Sequence, residues 1–199
     1  MEDELNIDYT IKLLILGDSS VGKTNFIFRF IENKFNQNYM TTSGIELKTA
    51  KIDINNNKIR VQLWDTAGQE KYKAITKNLF LKVQGTLVVF DITNDNSFNN
   101  AKKWVNSIKE ECGKTMQMIL IGNKSDLEEK RIVSQEEASQ YAEKEKIEYI
   151  ETSSKTGENI QRAINSICQK ILDNTELERD FSFTLEQTIL KKKMKCCEK

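Results

Sequence analysis

The chain of 199 residues has no histidine, no proline and no surplus of either charge, with 30 lysines and arginines against 30 aspartates and glutamates. Without histidine, no side chain titrates near neutrality at its ordinary pKa, which argues against a histidine-based catalytic dyad or pH switch. A net charge of zero leaves no global basic field for nucleic acid, and none is expected as a partner. No apolar run approaches the roughly 18 residues that a transmembrane helix needs. There are only four cysteines, and none of them forms a zinc-type cluster. Cys112 and Cys168 fall on helical patterns and read as buried or incidental. A soluble protein of a reducing compartment is the expectation. The opening Met1-Glu2-Asp3-Glu4 is acidic and polar, so no N-terminal signal is expected, and Glu2 excludes N-myristoylation.

What is present begins with Gly17-Asp18-Ser19-Ser20-Val21-Gly22-Lys23-Thr24, the pattern G-x-x-x-x-G-K-[ST]. It follows the apolar run 11–16 and precedes the helix-like run 25–31, the strand–loop–helix setting of a phosphate-binding loop. Glycines let the backbone curl until several N–H groups point at one centre, and the helix N-terminus adds a favourable dipole. Lys23 supplies positive charge to the β- and γ-phosphates, and the Thr24 hydroxyl is placed to ligate Mg²⁺. The bland alternative is a glycine-containing turn. The loop implies a nucleoside triphosphate without specifying the base.

Strand-like and helix-like segments alternate along the chain. Strands are expected at 11–16, 45–54, 58–64, 85–91, 116–122 and 147–151. Helices are expected at 23–31, 97–111, from the capping box Ser134-Gln135-Glu136-Glu137 to 144, and at 160–172. Asn55-Asn56-Asn57 reads as the turn of a hairpin, because asparagine tolerates the left-handed conformation. Such alternation gives an α/β fold with helices on both faces of a six-stranded, mostly parallel sheet, and the hairpin makes one edge strand antiparallel. Ligands in such sheets bind at the carboxyl ends of the strands, where every motif here falls. Beyond residue 173 the pattern weakens. A flexible tail of about 25 residues is expected, spanning roughly 25–30 Å as a coil, with a helical extension as the competing reading.

Two further motifs add the base and a third adds the metal. Asp65-Thr66-Ala67-Gly68-Gln69-Glu70 follows the third strand, so Asp65 can hold Mg²⁺ and the Gly68 N–H can reach a γ-phosphate. Alone this pattern is usually a turn. Asn123-Lys124-Ser125-Asp126 is more informative. Guanine offers two adjacent donors, N1–H and N2–H₂, and the Asp126 carboxylate can accept both, whereas adenine presents an acceptor at N1. A site built on such bonds rejects the wrong base, because buried polar groups would be left unpaired. Lys124 can lay its stem along the base. A solvated Asn-Asp turn is the alternative. In Glu151-Thr152-Ser153-Ser154-Lys155, backbone N–H groups can contact guanine O6 and Lys155 can flank the ring.

The order GDSSVGKT, a threonine in a polar loop, WDTAGQE, NKSD and ETSSK resembles that of Ras-superfamily small GTPases. WDTAGQE after a strand, Asp91-Ile92-Thr93 after the next and a terminal Cys-Cys pair resemble the Rab branch. The resemblance covers about residues 9–173 and the last few. It implies a P-loop NTPase G-domain at 9–173, preceded by a flexible N-terminus at 1–8 and followed by a hypervariable tail at 174–199. It implies that Asp18, Ser19, Ser20, Val21, Gly22, Lys23, Thr24 and Asn25 contact the phosphates. Tyr39-Met40-Thr41-Thr42-Ser43-Gly44 resembles the first switch, with Thr42 a ligand of Mg²⁺ and the γ-phosphate beside Thr24 and Asp65. Phe35 is implied at the guanine edge and Tyr39 over the phosphates. Gly68 to about Phe80 resembles the second switch, in which Gln69 orients the attacking water. Departures from the Rab pattern include Ser43, Leu47 where phenylalanine is usual, Lys71-Tyr72-Lys73, residues 79–83, and Ser154 for alanine. Most of these lie on surfaces that partners read.

The implied activity is slow hydrolysis of GTP to GDP and phosphate by a monomer, dependent on a GTPase-activating protein. It would cycle with an exchange factor and with effectors that bind the GTP state. The ending Lys191-Lys192-Lys193-Met194-Lys195-Cys196-Cys197-Glu198-Lys199 is not a good C-a-a-X box. It resembles the CCxx ending of Rabs, which implies geranylgeranylation of Cys196 and Cys197, a prenylation escort and a dissociation-inhibitor carrier. The implied location is the cytoplasmic face of an intracellular membrane, with a carrier-bound cytosolic pool. Two competing classes remain. One is a P-loop kinase or ATPase, against which Asp126 argues. The other is a non-hydrolysing nucleotide-binding module, against which Lys23, Thr24, Thr42, Asp65 and Gln69 argue. Among other branches, an Arf-like protein would need Gly at position 2. A Rho-like one would need a helical insertion after Asp126, and a Ran-like one has no need of the Cys-Cys end.

Overall fold

A computed structural model describes residues 7–36, 44–66, 80–113 and 116–174. Its sheet has six strands: β1 (Tyr9–Leu16), β2 (Ile45–Ile54), β3 (Asn57–Thr66), β4 (Gly85–Asp91), β5 (Gln117–Asn123) and β6 (Glu148–Thr152). Their spatial order is β2-β3-β1-β4-β5-β6. Only the β2–β3 hairpin is antiparallel, as expected from its short turn, and the other pairings are parallel. Asn55 and Asn56 take φ of 50° and 65° in that turn, the left-handed pair a tight hairpin needs.

Four α-helices lie among the described residues: α1 (Lys23–Glu32), α2 (Asp95–Cys112), α3 (Gln135–Glu145) and α4 (Ile160–Asn174). Because β-strand side chains alternate, β1 and β4 feed two cores. Leu13, Ile15, Leu87 and Val89 pack on one face with Phe26 and Ile27 of α1 and with Ile164, Ile167 and Ile171 of α4. Leu14, Leu16, Val88 and Phe90 pack on the other with Phe98, Val105 and Ile108 of α2 and Ala138 of α3. Every residue of β4 is buried, which explains why its sequence is one unbroken apolar run.

Three local features differ from the sequence reading. Helix α2 starts two residues earlier than 97, because the Asn94 side chain accepts a bond from Ser97 N and caps the first turn. Ser134 Oγ caps α3 by accepting from Glu137 N, but the Glu137 carboxylate pairs with Lys102 Nζ at 3.3 Å instead of closing a reciprocal box. A 3-10 helix at Ser125–Lys130, entered through Lys124 at φ 69°, has no apolar periodicity that would announce it. Of the cysteines, Cys168 is buried and Cys112 half-buried.

The chain leaves β1 for the β2–β3 side of the sheet and leaves β3 for β4 on the other side of β1, so a crevice opens at the carboxyl end of β1, where the order reverses. The loop after β1 and those after β5 and β6 meet there.

Candidate functional site

Gly17 and Gly22 frame the loop after β1 for different steric reasons. A Cβ on Gly17 would stand 2.1 Å from the Val89 carbonyl oxygen, so only glycine lets this loop pass β4. Gly22 (φ 99°) takes the left-handed conformation and immediately precedes α1. Between them Ser19 and Ser20 are exposed at the loop tip, while Val21 is buried as an anchor. Ser20 sits at φ 65°, a conformation that L-residues adopt at a cost.

Lys23, the first residue of α1, is only 5 % exposed. Its Nζ donates to the carbonyls of Gly17 and Asp18, both at 2.8 Å, and so folds back over the loop. Burial pushes its pKa down from 10.5 to about 8, against the opposing pull of the Asp65 and Asp18 carboxylates. Asp18 is fixed in turn by Asn100 Nδ2 of α2, at 2.7 Å from its Oδ2.

The next residue, Thr24, donates its Oγ1 hydrogen to Asp65 Oδ2 at 2.7 Å. Asp65 is 1 % exposed, and burial raises its pKa, opposed by the Thr24 bond and the Lys23 charge. Its other oxygen, Oδ1, is buried and has no hydrogen-bond partner among the described residues. A buried carboxylate oxygen of this kind beside a hydroxyl is a hard-oxygen donor set suited to Mg²⁺. The residues present therefore fit the metal.

Asn25 and Asn36 exchange two hydrogen bonds, Nδ2 to the Asn36 carbonyl at 3.1 Å and Asn36 N to Oδ1 at 3.2 Å. They hold the chain beyond α1 beside the loop, with the neighbouring Phe35 ring 38 % exposed.

Across the crevice, Asn123 at the end of β5 joins three segments. Its Nδ2 donates to the Val21 carbonyl at 2.8 Å, and its Oδ1 accepts from Thr152 Oγ1, Ser154 N and Ser154 Oγ, each at 3.2 Å. The Ser154 hydroxyl is a donor that the alanine usual in Rabs would lack. Lys124 Nζ pairs with Asp91 Oδ2 at 2.6 Å, while Asp91 Oδ1 is held by the N–H and hydroxyl of Thr93. The Asp126 carboxylate accepts from Ser153 Oγ at 2.6 Å and stands 3.8 Å from Lys155 Nζ. This orients acceptor oxygens beside the crevice.

The structure thus gathers Asp18–Asn25, Phe35, Asp65, Asn123, Lys124, Asp126 and Ser153–Lys155 around one crevice. Tyr39, Thr42, Gly68, Gln69, Cys196 and Cys197 lie outside the described residues. Sequence reading missed Asn100, the hold of Asp91 on Lys124, and Arg29. Asp91 ends a strand on the ligand side of the sheet, a signal that could have singled it out. Asn100 lies mid-helix and Arg29 in the last turn of α1, and neither carries such a mark.

A model of the Ras family matches residues 12–173. The chain is 43% identical over 165 residues to Ras-related protein Rab-13 of Canis lupus familiaris, covering 83% of this chain and 81% of that one. It is 39% identical over 196 residues to Ras-related protein Rab-10 of Diplobatis ommata, covering 96% of both. It is 40% identical over 172 residues to Ras-related protein Rab-8B of Homo sapiens, covering 86% and 82%. With a loop, buried lysine, threonine–aspartate pair and carboxylate arranged as described, and with matches of this extent, the chain belongs to the Ras family and is a Rab-type small GTPase that binds GTP and GDP with Mg²⁺.

Proposed function

We propose that the nucleotide lies across the crevice, its phosphates on the loop 17–22 and the start of α1, its guanine against Asp126. The observation that carries this reading is the Asp126 carboxylate, oriented by Ser153 and Lys155 and tied through Asn123 to the phosphate loop. Asp126 accepts guanine N1–H and N2–H₂, Lys124 and Phe35 flank the base, and N–H groups of 153–155 reach O6. Lys23 and the backbone N–H groups of 18–25 receive the phosphates, with Tyr39 above them. Thr24, Thr42 and Asp65 hold Mg²⁺, which when bound neutralises charge on the β- and γ-phosphates. Gln69 orients the water that attacks the γ-phosphorus, and the phosphorus–oxygen bond to GDP breaks. Thr42 and Gly68 contact the γ-phosphate, so hydrolysis releases both switch segments.

None of these motif segments contains an arginine. Such a residue supplied by an activating protein accelerates related enzymes about 10³–10⁵-fold. Intrinsic turnover is therefore slow, and an exchange factor, an activating protein and GTP-state effectors complete the cycle. Purified GTP-loaded protein is expected to hydrolyse GTP in a single turnover on the order of 10⁻³ s⁻¹ or slower, and to capture partners that the GDP-loaded form does not. Rapid turnover of the isolated chain, or identical captures by both forms, would overturn this reading.

The domain at 9–173 carries this machinery, and the tail at 174–199 anchors it for a role in vesicle trafficking. One lipid chain binds membranes marginally, whereas two prenyl groups at Cys196 and Cys197 beside a lysine cluster give stable anchoring to an anionic leaflet. An escort and a dissociation-inhibitor carrier would serve the prenylated chain, which divides between the cytoplasmic face of an intracellular membrane and a cytosolic pool. A Cys196→Ser, Cys197→Ser variant is expected to move wholly to the soluble fraction of cells. Persistence on membranes would remove the lipid reading.

Lys23 also gives a pH dependence. Its pKa of about 8 in the folded chain lies below the ordinary 10.5, so between these values the unfolded state holds more protons. The burial penalty weighs fully on the nucleotide-free fold below about pH 8 and lifts as pH rises toward 10.5. Phosphates reverse the preference, since they bind the protonated amine. GDP affinity is expected to be flat in Lys23 up to about pH 8 and then to fall, by up to about tenfold per pH unit. Calorimetric titration between pH 7 and 9 measures this, and a flat profile would contradict it.

A further inference from the structure

Asn123 is one bridge between the phosphate loop and the loop after β6. Arg29, in the last turn of α1, is a second. Its Nε donates to the Ser154 carbonyl at 2.9 Å and its Nη2 to the Lys155 carbonyl at 2.6 Å, across 125 and 126 residues of sequence. Its Nη1 donates to the carbonyl and Oδ1 of Asn33 at 2.9 and 3.1 Å. The stem of Arg29 runs past Gly157, where a Cβ would stand 3.4 Å from Cδ. The backbone of Ser154 is therefore gripped from both sides, its N–H by Asn123 Oδ1 and its carbonyl by Arg29.

We propose that Arg29 is a positioning residue for nucleotide retention. It ties the guanine-side loop at 153–155 to the same rigid helix whose first residues, Lys23 and Thr24, stand at the phosphate side. The proposal rests on the nucleotide site as read above. Arg29 touches no nucleotide in that reading and acts through the backbone of Ser154 and Lys155. It sets the spacing between the two halves of the site. Charge-assisted bonds from a planar fork suit this task, because they fix two carbonyls at once in a defined geometry. A lysine at 29 carries its donors on a single nitrogen, so it cannot place a separate nitrogen on each carbonyl and holds the pair in a less defined geometry. The competing, purely structural role is closure of the C-terminal end of α1 through Asn33. The left-handed Asn33 (φ 52°) tolerates glycine, which removes its side chain and keeps its carbonyl.

The test uses the full chain loaded with a fluorescent GDP in Mg²⁺ buffer and follows release into excess unlabelled GDP. Arg29→Ala is expected to release GDP about tenfold faster than the natural chain, and Arg29→Lys about threefold faster, the partial rescue expected of a cation that keeps the charge but loses the planar fork. Asn33→Gly is expected to release it within about twofold of the natural rate. Release from Arg29→Ala at the natural rate would overturn the proposal. So would acceleration by Asn33→Gly as large as that by Arg29→Ala, since the helix end would then be the cause. Should Arg29→Ala fail to fold, Arg29→Lys decides, a natural rate counting against the proposal. A natural chain that retains no GDP at all would instead bring down the underlying site reading, a result distinct from these.

Discussion

Asp126→Asn is expected to lower the affinity for GDP by about 10³-fold or more and to confer binding of xanthosine diphosphate. The Asp126 carboxylate is acceptor-only, and its Oδ1 already takes the Ser153 hydroxyl at 2.6 Å, which sets the plane it presents to the crevice. Guanine brings two donors to that plane. An asparagine amide would meet one of them with its own N–H₂, leaving two donors opposed and a buried group unpaired. Xanthine carries a carbonyl in place of the 2-amino group, so the same amide finds an acceptor. The amide oxygen can still accept from Ser153, and the lost attraction to Lys155, whose side chain is 62% exposed, is worth little. The fold should therefore melt at nearly its natural temperature. Competition titrations with GDP and xanthosine diphosphate measure the exchange of preference. An unchanged affinity for GDP would remove Asp126 from the base site.

The separation between what the sequence discloses and what it hides has a physical cause. Residues 85–91 read correctly as a strand because a parallel strand covered on both faces must be apolar at every position. The hairpin was legible from its asparagines, of which Asn55 and Asn56 take the positive φ that few residues accept, while Asn57 opens β3 instead of lying in the turn. The motif loops were visible as patterns because they are short segments at strand ends whose residue types recur at fixed spacing, and the structure brings those of them that it describes to one end of the sheet. The 3-10 helix at Ser125–Lys130 was hidden, being polar and fixed by the left-handed Lys124. Asn100 on Asp18 and Arg29 on the loop at 154–155 were hidden for another reason. Each is an ordinary surface-type residue whose partner depends on how helices register against the sheet, and on separations as long as 126 residues. Local pattern carries no information about such distances.

Gly22→Ala is expected to cost far more than the strain of a left-handed alanine. At φ 99° that strain alone is about 1–2 kcal/mol. The added Cβ would stand 2.4 Å from Asn123 Nδ2, so the Asn123 side chain must leave its place. That side chain bonds the Val21 carbonyl and holds Thr152 and Ser154, and all four residues are buried. Displacing it strands several buried polar groups, each costing about 1–3 kcal/mol. It also separates the phosphate loop from the guanine-side loop. The expected result is a loss of about 3–5 kcal/mol in stability and about 100-fold or more in GDP affinity, because both halves of the site depend on the same amide. Gly113→Ala separates the two contributions. Gly113 also has a positive φ, 66° with ψ −146°, a region essentially confined to glycine, but a Cβ there meets nothing within 4 Å among the described residues. It should cost only the strain of that backbone conformation, lowering the melting temperature by about 2–12 °C and leaving GDP affinity unchanged. Denaturant unfolding of the GDP-loaded variants and GDP titration measure both effects. Equal losses in the two variants would show that Gly22 is needed for its backbone angle alone, and that its closeness to Asn123 has no part in holding the nucleotide.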